Sequence, residues 1–269
     1  MTAAAGSRHA PSLRVERDGR MAAVSSGAFE WIVHRRATPV AFLATSLAAL
    51  GDGEELAVSV DVAAGASLVL TAQGPSSLLR TGRFATQRLA VSLGTGAHLT
   101  FLPWVTIPFP GARSCLDVDV AVDDGASLAA WDVLAAGRAA RGESFEFEEL
   151  RASWRITGPG GLLLDDRLLV RGADREEAQA MLGGRTHVGS LYLAGIAEEV
   201  LPLARLRAAL DSSLDLAGAS RPAPDLVVAR ALDRSADRLE QAFWPLVCEA
   251  RAAVGQPALA PEVVARRWF

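Results

Sequence analysis

The side chains able to do chemistry are few, and their spacing limits what they can be. Four histidines, His9, His34, His98 and His187, stand far apart, with no H-x-H or H-E-x-x-H pair of the kind that ligates zinc. Cys115 and Cys248 lie 133 positions apart and form no C-x-x-C pair, so they read as two reduced thiols. Neither G-x-G-x-x-G nor a phosphate loop occurs, and the absence of any Lys excludes the second outright. The expectation is a protein that hydrolyses no nucleotide and carries no tightly bound cofactor.

The carboxylates are more informative. Asp123-Asp124 sits beside a turn, and Glu146 and Glu148 alternate with Phe145 and Phe147, which places them on the solvent face of a strand. Three others have apolar surroundings. Asp52 lies in Leu50-Gly51-Asp52-Gly53, Asp132 follows Trp131 in an apolar strand, and Asp166 is enclosed by Leu162-Leu163-Leu164 and Leu168-Leu169-Val170. A carboxylate among buried apolar side chains costs several kcal/mol unless it is paired, hydrated or bound to a cation. Two readings follow: structural ion pairs, with Arg138 and Arg167 as partners, or a hydrated internal path of hard oxygen ligands that hands on a divalent ion without caging it.

The elements that must position these residues announce themselves as a repeat. Leu56, Val58, Val60, Val62 alternate and end in Gly65-Ala66-Ser67-Leu68. Leu89, Val91, Leu93 end in Gly96-Ala97-His98-Leu99, and Leu116, Val118, Val120, Val122 end in Gly125-Ala126-Ser127-Leu128. The corner glycines are 31 and then 29 positions apart, so one strand-turn-strand unit recurs about every thirty residues. Period-2 alternation buries one face of each strand, and glycine takes positive φ cheaply at the turns, as tight hairpins or sheet-to-sheet corners require. So many one-sided strands predict stacked layers wound as a helical β-sandwich or solenoid-like body.

Further along, Ala152, Trp154 and Ile156 continue the strands, and Thr157-Gly158-Pro159-Gly160-Gly161 turns into a strand over Leu162–Val170. Residues 172–189 read as a polar, mobile loop with a short helix over 175–182. A strand over 191–194, a helix over 198–210 with Pro202 in its first turn, a strand over 226–231 and a helix capped by Asp233 and running to about Val254 complete the pattern, with a bend at Pro245. The chain therefore reads as mainly β with two or so helices toward the C-terminus. Residues 1–269 are taken as a single domain, with 1–50 holding shortened first strands, 50–195 the β body and 196–269 a mixed helix and strand part.

Charge and hydropathy exclude whole classes. With 27 basic and 31 acidic residues spread along the chain, the net charge is −4, and no basic stripe is present to bind a phosphate backbone. No apolar run reaches the roughly 18 residues of a membrane span, and the first ten residues have no secretory pattern. These features predict a soluble cytoplasmic protein that binds neither nucleic acid nor membrane.

One segment is specific enough to suggest a family. Leu102-Pro103-Trp104-Val105-Thr106-Ile107-Pro108-Phe109-Pro110-Gly111-Ala112-Arg113 resembles the L-P-x-x-T-I-x-F-x-G-A-R run of the UreD/UreH urease accessory proteins. Trp131-Asp132, Gly137-Arg138 and Gly142-Glu143-x-Phe145 are similar to that family's next motif, and Leu164-Asp165-Asp166-Arg167-Leu168 resembles its L-x-E-R-L. Gly51-Asp52, Gly65-Ala66 and Leu70-Thr71-Ala72-Gln73-Gly74 match its upstream series, so the resemblance spans about residues 50–269. The Lys and Tyr of its G-A-T-K-x-Y-R stretch are missing from Gly74–Arg80.

The resemblance implies a maturation chaperone without turnover of its own. It implies partners: apo-urease, an all-helical accessory subunit and, through that subunit, a nickel-carrying GTPase. It also implies a nickel ion in transit through a water-filled path, lined by motif position with Asp52, Thr71, Ser76, Asp132 and Asp166. Phe243 and Trp244, on the last helix, are candidates for partner docking if an apolar patch is exposed there, and candidates for the core otherwise. Two other functions remain open at this point. A carbohydrate-active β-solenoid enzyme could use Asp132 and Asp166 as acid and base across an open groove. A purely structural partner protein would carry the same carboxylates as ion pairs.

Overall fold

The computed structural model describes residues 7–34, 38–45 and 50–259. The chain enters through five short strands, β1 (Arg8–His9), β2 (Ser12–Val15), β3 (Met21–Val24), β4 (Phe29–His34) and β5 (Val40–Thr45). A coil follows. β6 (Glu55–Val62) lies in one sheet, β7 (Ser67–Ala72) in a second, and the short β8 (Ser76–Leu78) begins the return. β9 (Ala85–Leu93), β10 (His98–Leu102) and β11 (Thr106–Pro108) repeat that turn, as do β12 (Arg113–Val122) and β13 (Ser127–Ala135), and β14 (Glu149–Gly158) re-enters the first sheet. β15 (Gly161–Arg171) folds back on β14 as a hairpin. Then come α1 (Arg175–Met181), β16 (His187–Ala194), α2 (Leu203–Ser213), β17 (Ala217–Ala223), β18 (Leu226–Asp233) and α3 (Ala236–Ala253).

The Gly-Ala motifs are corners between sheets, not hairpins. At Gly65, Gly96 and Gly125 φ is 67°, 66° and 66°, in the left-handed region that glycine occupies without a Cβ penalty. The corners also stack: the Gly65 amide donates to the Thr95 carbonyl, and the Gly96 amide to that of Asp124, both at 2.9 Å. With successive corners bonded to each other, the strands they launch pair in parallel and in register. Leu68, Leu99 and Leu128 align across β7, β10 and β13, and Val60, Val91, Val120 and Ile156 across β6, β9, β12 and β14.

The first sheet runs β15-β14-β12-β9-β6-β2-β3, and the second β17-β18-β16-β13-β10-β7-β5-β4. Alternation sorts every strand of the second sheet into two cores. Leu128 and Ala130 of β13 face the first sheet with Leu68, Leu99, Val91 and Ile156. Ala129, Trp131 and Val133 face the opposite way, beneath Leu206 and Leu210 of α2 and Leu239, Phe243, Leu246 and Val247 of α3. The molecule is thus three layers: sheet, sheet, helices. The outer face of the first sheet carries charge ladders, with Asp117 beside Arg88 and Asp165 beside Arg155 and Arg167. No helix among the described residues is long and apolar enough to cross a membrane.

Several expectations need correction. Phe145 to Glu148 form a bend, not a strand, because Phe145 takes φ 56° and its amide turns to the Ala136 carbonyl; the glutamates are nevertheless exposed and the phenylalanines buried. α2 begins five residues later than expected, since Pro202 is its N-cap and Val200 lies outside it, exposed. Ser235, not Asp233, caps α3 by accepting from the Arg238 amide; Asp233 is the last residue of β18 and holds the Ser235 amide and the Arg238 guanidinium. α3 continues through Pro245 to Ala253. β17, across Arg221 and Pro222, was not legible: a Pro is tolerated there because this strand is the edge of the sheet.

Between the second sheet and α3 lies a buried polar layer. Arg251, 1% exposed, donates to the Thr100 hydroxyl and, at 2.8 Å, to the Pro257 carbonyl. His98 bridges Ser127 and Thr100, each at 2.8 Å. Burial, with the Arg251 charge adding to it, pushes His98 down to about 3, and burial brings Arg251 down to about 10. His98 is therefore neutral in the fold while an unfolded histidine protonates near 6.5. Its contribution is complete above about pH 6.5 and is lost as pH falls toward about 3, at about 1.4 kcal/mol per pH unit for one proton. Urea unfolding across that range should show the slope, and His98→Gln should flatten it. At the corners, no atom of the described residues lies within 4 Å of where a Cβ on Gly96 would stand, so Gly96→Ala should cost only its backbone strain, about 1–2 kcal/mol, read as a lower urea midpoint at unchanged m.

Candidate functional site

The sequence places three carboxylates in apolar company, and the fold separates them. Asp52 is exposed, on the turn before β6. Its carboxylate accepts from the Arg83 amide at 2.6 Å and from Arg83 Nε at 3.1 Å, and these bonds hold it below the usual carboxylate range. It is a surface ion pair, and it is not among the residues lining the half-open cavity described next.

That cavity, about 430 Å³, lies between the two sheets toward the ends of the strands remote from the Gly-Ala corners. Its walls include Val58, Leu89, Val118 and Trp154 of the first sheet, which share one register row across β6, β9, β12 and β14. Thr71, Ser76 and Asp132 line it too, so three of the five residues expected on a path meet there. Thr71 already donates its hydroxyl to the Leu102 carbonyl at 2.7 Å. Asp132 accepts from Trp154 Nε1 at 3.3 Å. Burial pushes the Asp132 carboxyl above its ordinary range, against the opposing pull of that hydrogen bond and of the Arg230 charge.

Asp166 sits one step beyond the cavity wall, directly opposite Trp154 in the β14–β15 ladder. Its Oδ2 accepts from the Tyr192 hydroxyl at 2.8 Å and from an Arg230 guanidinium nitrogen at 2.5 Å. The Tyr192 ring stacks on Trp154 at 4.4 Å between centroids, so one contiguous set of contacts runs Asp132, Trp154, Tyr192, Asp166, Arg230. Burial raises the Tyr192 phenol well above its usual value, with the Asp166 and Asp132 charges adding to it; the phenol is a donor at every physiological pH.

The partner assignments made from sequence fail for a plain geometrical reason. Arg138 closes on Glu143, and Arg167 points outward to Asp165, because residues 165 and 167 share the solvent face of β15 while 166 faces inward. The true partner, Arg230, comes from β18. A signal was available: within Leu226–Asp233, alternation puts Arg230 on the face of Val228 and Leu232, a cation at an inward position waiting for an acid. Tyr192, the chain's single tyrosine, was missed inside an apolar strand.

Among the described residues no three His, Cys, Asp or Glu converge to hold a metal ion. The arrangement offers separated oxygen ligands along a cavity, not a cage. It also spends Asp166 on Arg230 and Tyr192, whereas glycoside hydrolysis needs an acid and a base facing a bound sugar. Phe243 is fully buried, close enough to Gly189 that a Cβ there would meet its ring at 2.8 Å, and so presents no docking surface; Trp244 is half-buried and packs on the same core.

Comparison with known proteins gives one consistent answer. Residues 9–265 match the family described as UreD urease accessory protein. The chain is 32% identical over 219 residues to the urease accessory protein UreD 2 of Pseudomonas syringae pv. tomato, covering 80% of this chain and 76% of that one. It is 32% identical over 190 residues to the UreD of Anaeromyxobacter sp., covering 69% and 64%, and 30% identical over 227 residues to that of Dechloromonas aromatica, covering 80% and 76%.

The raised Asp132 carboxyl has a measurable consequence. The folded state holds that proton more tightly than the unfolded state, so Asp132 costs stability as pH climbs from the ordinary carboxylate range through the raised folded value. Asp132→Asn, which can still accept from Trp154, should be more stable than the parent at neutral pH. The difference should close near pH ~3, where both side chains are neutral in either state, as chemical unfolding at the two pH values would show.

Proposed function

The chain belongs to the UreD family of urease accessory proteins, and from that premise we propose that it is a non-catalytic maturation scaffold whose inter-sheet cavity conducts nickel, as cargo, toward the active site of apo-urease. The observation that carries this reading is the cavity of about 430 Å³ with Thr71, Ser76 and Asp132 on its walls and Asp166 at its flank. A divalent first-row ion binds strongly wherever several good ligands converge, so a conduit must keep its ligands hard, few and apart. Carboxylate and hydroxyl oxygens set apart along a mainly apolar lining, which also carries Arg88 and Asp117, meet that requirement. Apolar walls keep the ion hydrated and moving, and the carboxylates offset its charge where water is scarce.

On this reading the partners are apo-urease at one end and, at the other, an all-helical accessory subunit that brings a nickel-loaded GTPase. The work is done in the cytoplasm, where apo-urease is made. The chain supplies passage and position, not bond-breaking.

The test is urease activation in lysate that holds the cognate apo-urease, the remaining accessory proteins and nickel. Activity should require the chain. Asp132→Ala combined with Asp166→Ala should still be pulled down with its partners yet lower activation by about tenfold or more, the usual scale when groups that hold or orient a metal are lost. Full activation by the double variant would defeat the conduit, and activation without the chain would defeat the accessory role altogether.

A further inference from the structure

Beside the cavity, on the Asp166 side, one side chain joins the two sheets. Across the second sheet, Asp132 of β13, Ser190 of β16 and Arg230 of β18 are direct register partners and form one row. The facing row of the first sheet is Val58, Leu89, Val118, Trp154 and Asp166. The first four of these, with Asp132 opposite, wall the cavity; at the fifth, the Arg230 guanidinium reaches across the gap and pairs with Asp166 at 2.5 Å. The Arg230 side chain is 40% exposed and that of Asp166 21%, so the pair, next to the wall residue Trp154, is partly open to water.

We propose that Arg230 is a gating residue: a resident cation that closes the flank of the cavity and neutralises Asp166 until a divalent cation displaces it. This rests on the conduit reading above and adds how the path is kept shut.

Three features support the role. Arg230 acts on both carboxylates, being bonded to Asp166 and close enough for its charge to act on Asp132. It is anchored from one end only, on β18, one strand in from the edge of the second sheet, with its head partly in water, so the guanidinium can leave by rotating its own side chain without moving the backbone. Tyr192 stays behind as a neutral donor to Asp166 and keeps the carboxylate aimed while the cation changes. A guanidinium and a divalent ion cannot share Asp166 comfortably, since like charges at a few ångströms repel strongly where water is scarce. Entry of one therefore favours release of the other. A fixed structural clamp between the sheets would show the same ion pair but no exchange.

Nickel(II) chloride alone is the probe, on the purified full chain. Arg230→Gln removes the competing charge and should tighten nickel binding about tenfold, as measured by calorimetry; Arg230→Lys, which keeps the charge, should stay close to the parent. Adding Asp166→Asn to Arg230→Gln should abolish the gain. On the unmodified chain, which avoids any folding defect of the variants, nickel should speed phenylglyoxal modification of Arg230, followed by mass spectrometry, severalfold. Unchanged or weaker nickel binding by Arg230→Gln, or a modification rate indifferent to nickel, would overturn the gate. These failures are separable from failure of the conduit. If the gate fails while the Asp132 and Asp166 double variant still blocks activation, the path stands without a gate; if the double variant activates urease fully, the path itself falls.

Discussion

The parallel register of the Gly-Ala corners is the constraint on which the other features depend. Each corner glycine holds φ near +66°, and the amides of Gly65 and Gly96 are bonded to the corner of the next turn, so the strands they launch are fixed against their neighbours. Because side chains alternate along a strand, a slip of one residue at a corner would exchange the two faces of everything downstream. In β13 that slip would bring the Trp131 indole between the sheets and drive the Asp132 carboxylate beneath α3, into the apolar core around Phe243. The position of the carboxylate in the cavity is set more than five residues away, at a glycine.

The second sheet pays for its central position by burying polar groups on both faces, and it resolves the two cases differently. Toward α3, His98 is neutral and bridges two hydroxyls, while Arg251 is bonded to a hydroxyl and a backbone carbonyl; the Arg251 Nε has no partner among the described residues. Toward the first sheet, the buried groups are acidic and the cation that answers them is half in water. The first arrangement is closed and serves to hold a helix. The second borders a cavity and has its cation partly open to water.

Much of this was legible in the chain, because periodicity and glycine placement are local signals. The thirty-residue repeat gave the two-layer coil, and the unusual apolar setting of Asp132 and Asp166 marked the inward carboxylates. Asp52 misled because Leu50 is buried next to it while the turn itself projects into solvent and meets Arg83. Arg230 escaped because its partner lies 64 positions earlier, across two sheets, and no local rule relates such positions. Pairings within one strand, such as Arg167 with Asp165, are visible from spacing once the outward face is known; pairings between layers require the fold.

Stacked, in-register turns also make the coil a ruler. Strands in a sheet stand about 4.8 Å apart, so each thirty-residue turn extends the body by one such rung and carries its own corner and its own share of the wall. A lineage that gained or lost one whole turn would alter the span between the two ends by that increment while every remaining corner kept its bonds. Losses confined to the returning loops leave the register intact, as the corner spacings of 31 and 29 residues show. The distance between the two ends of such a body is therefore quantised, and evolution can tune it by whole repeats rather than by single residues.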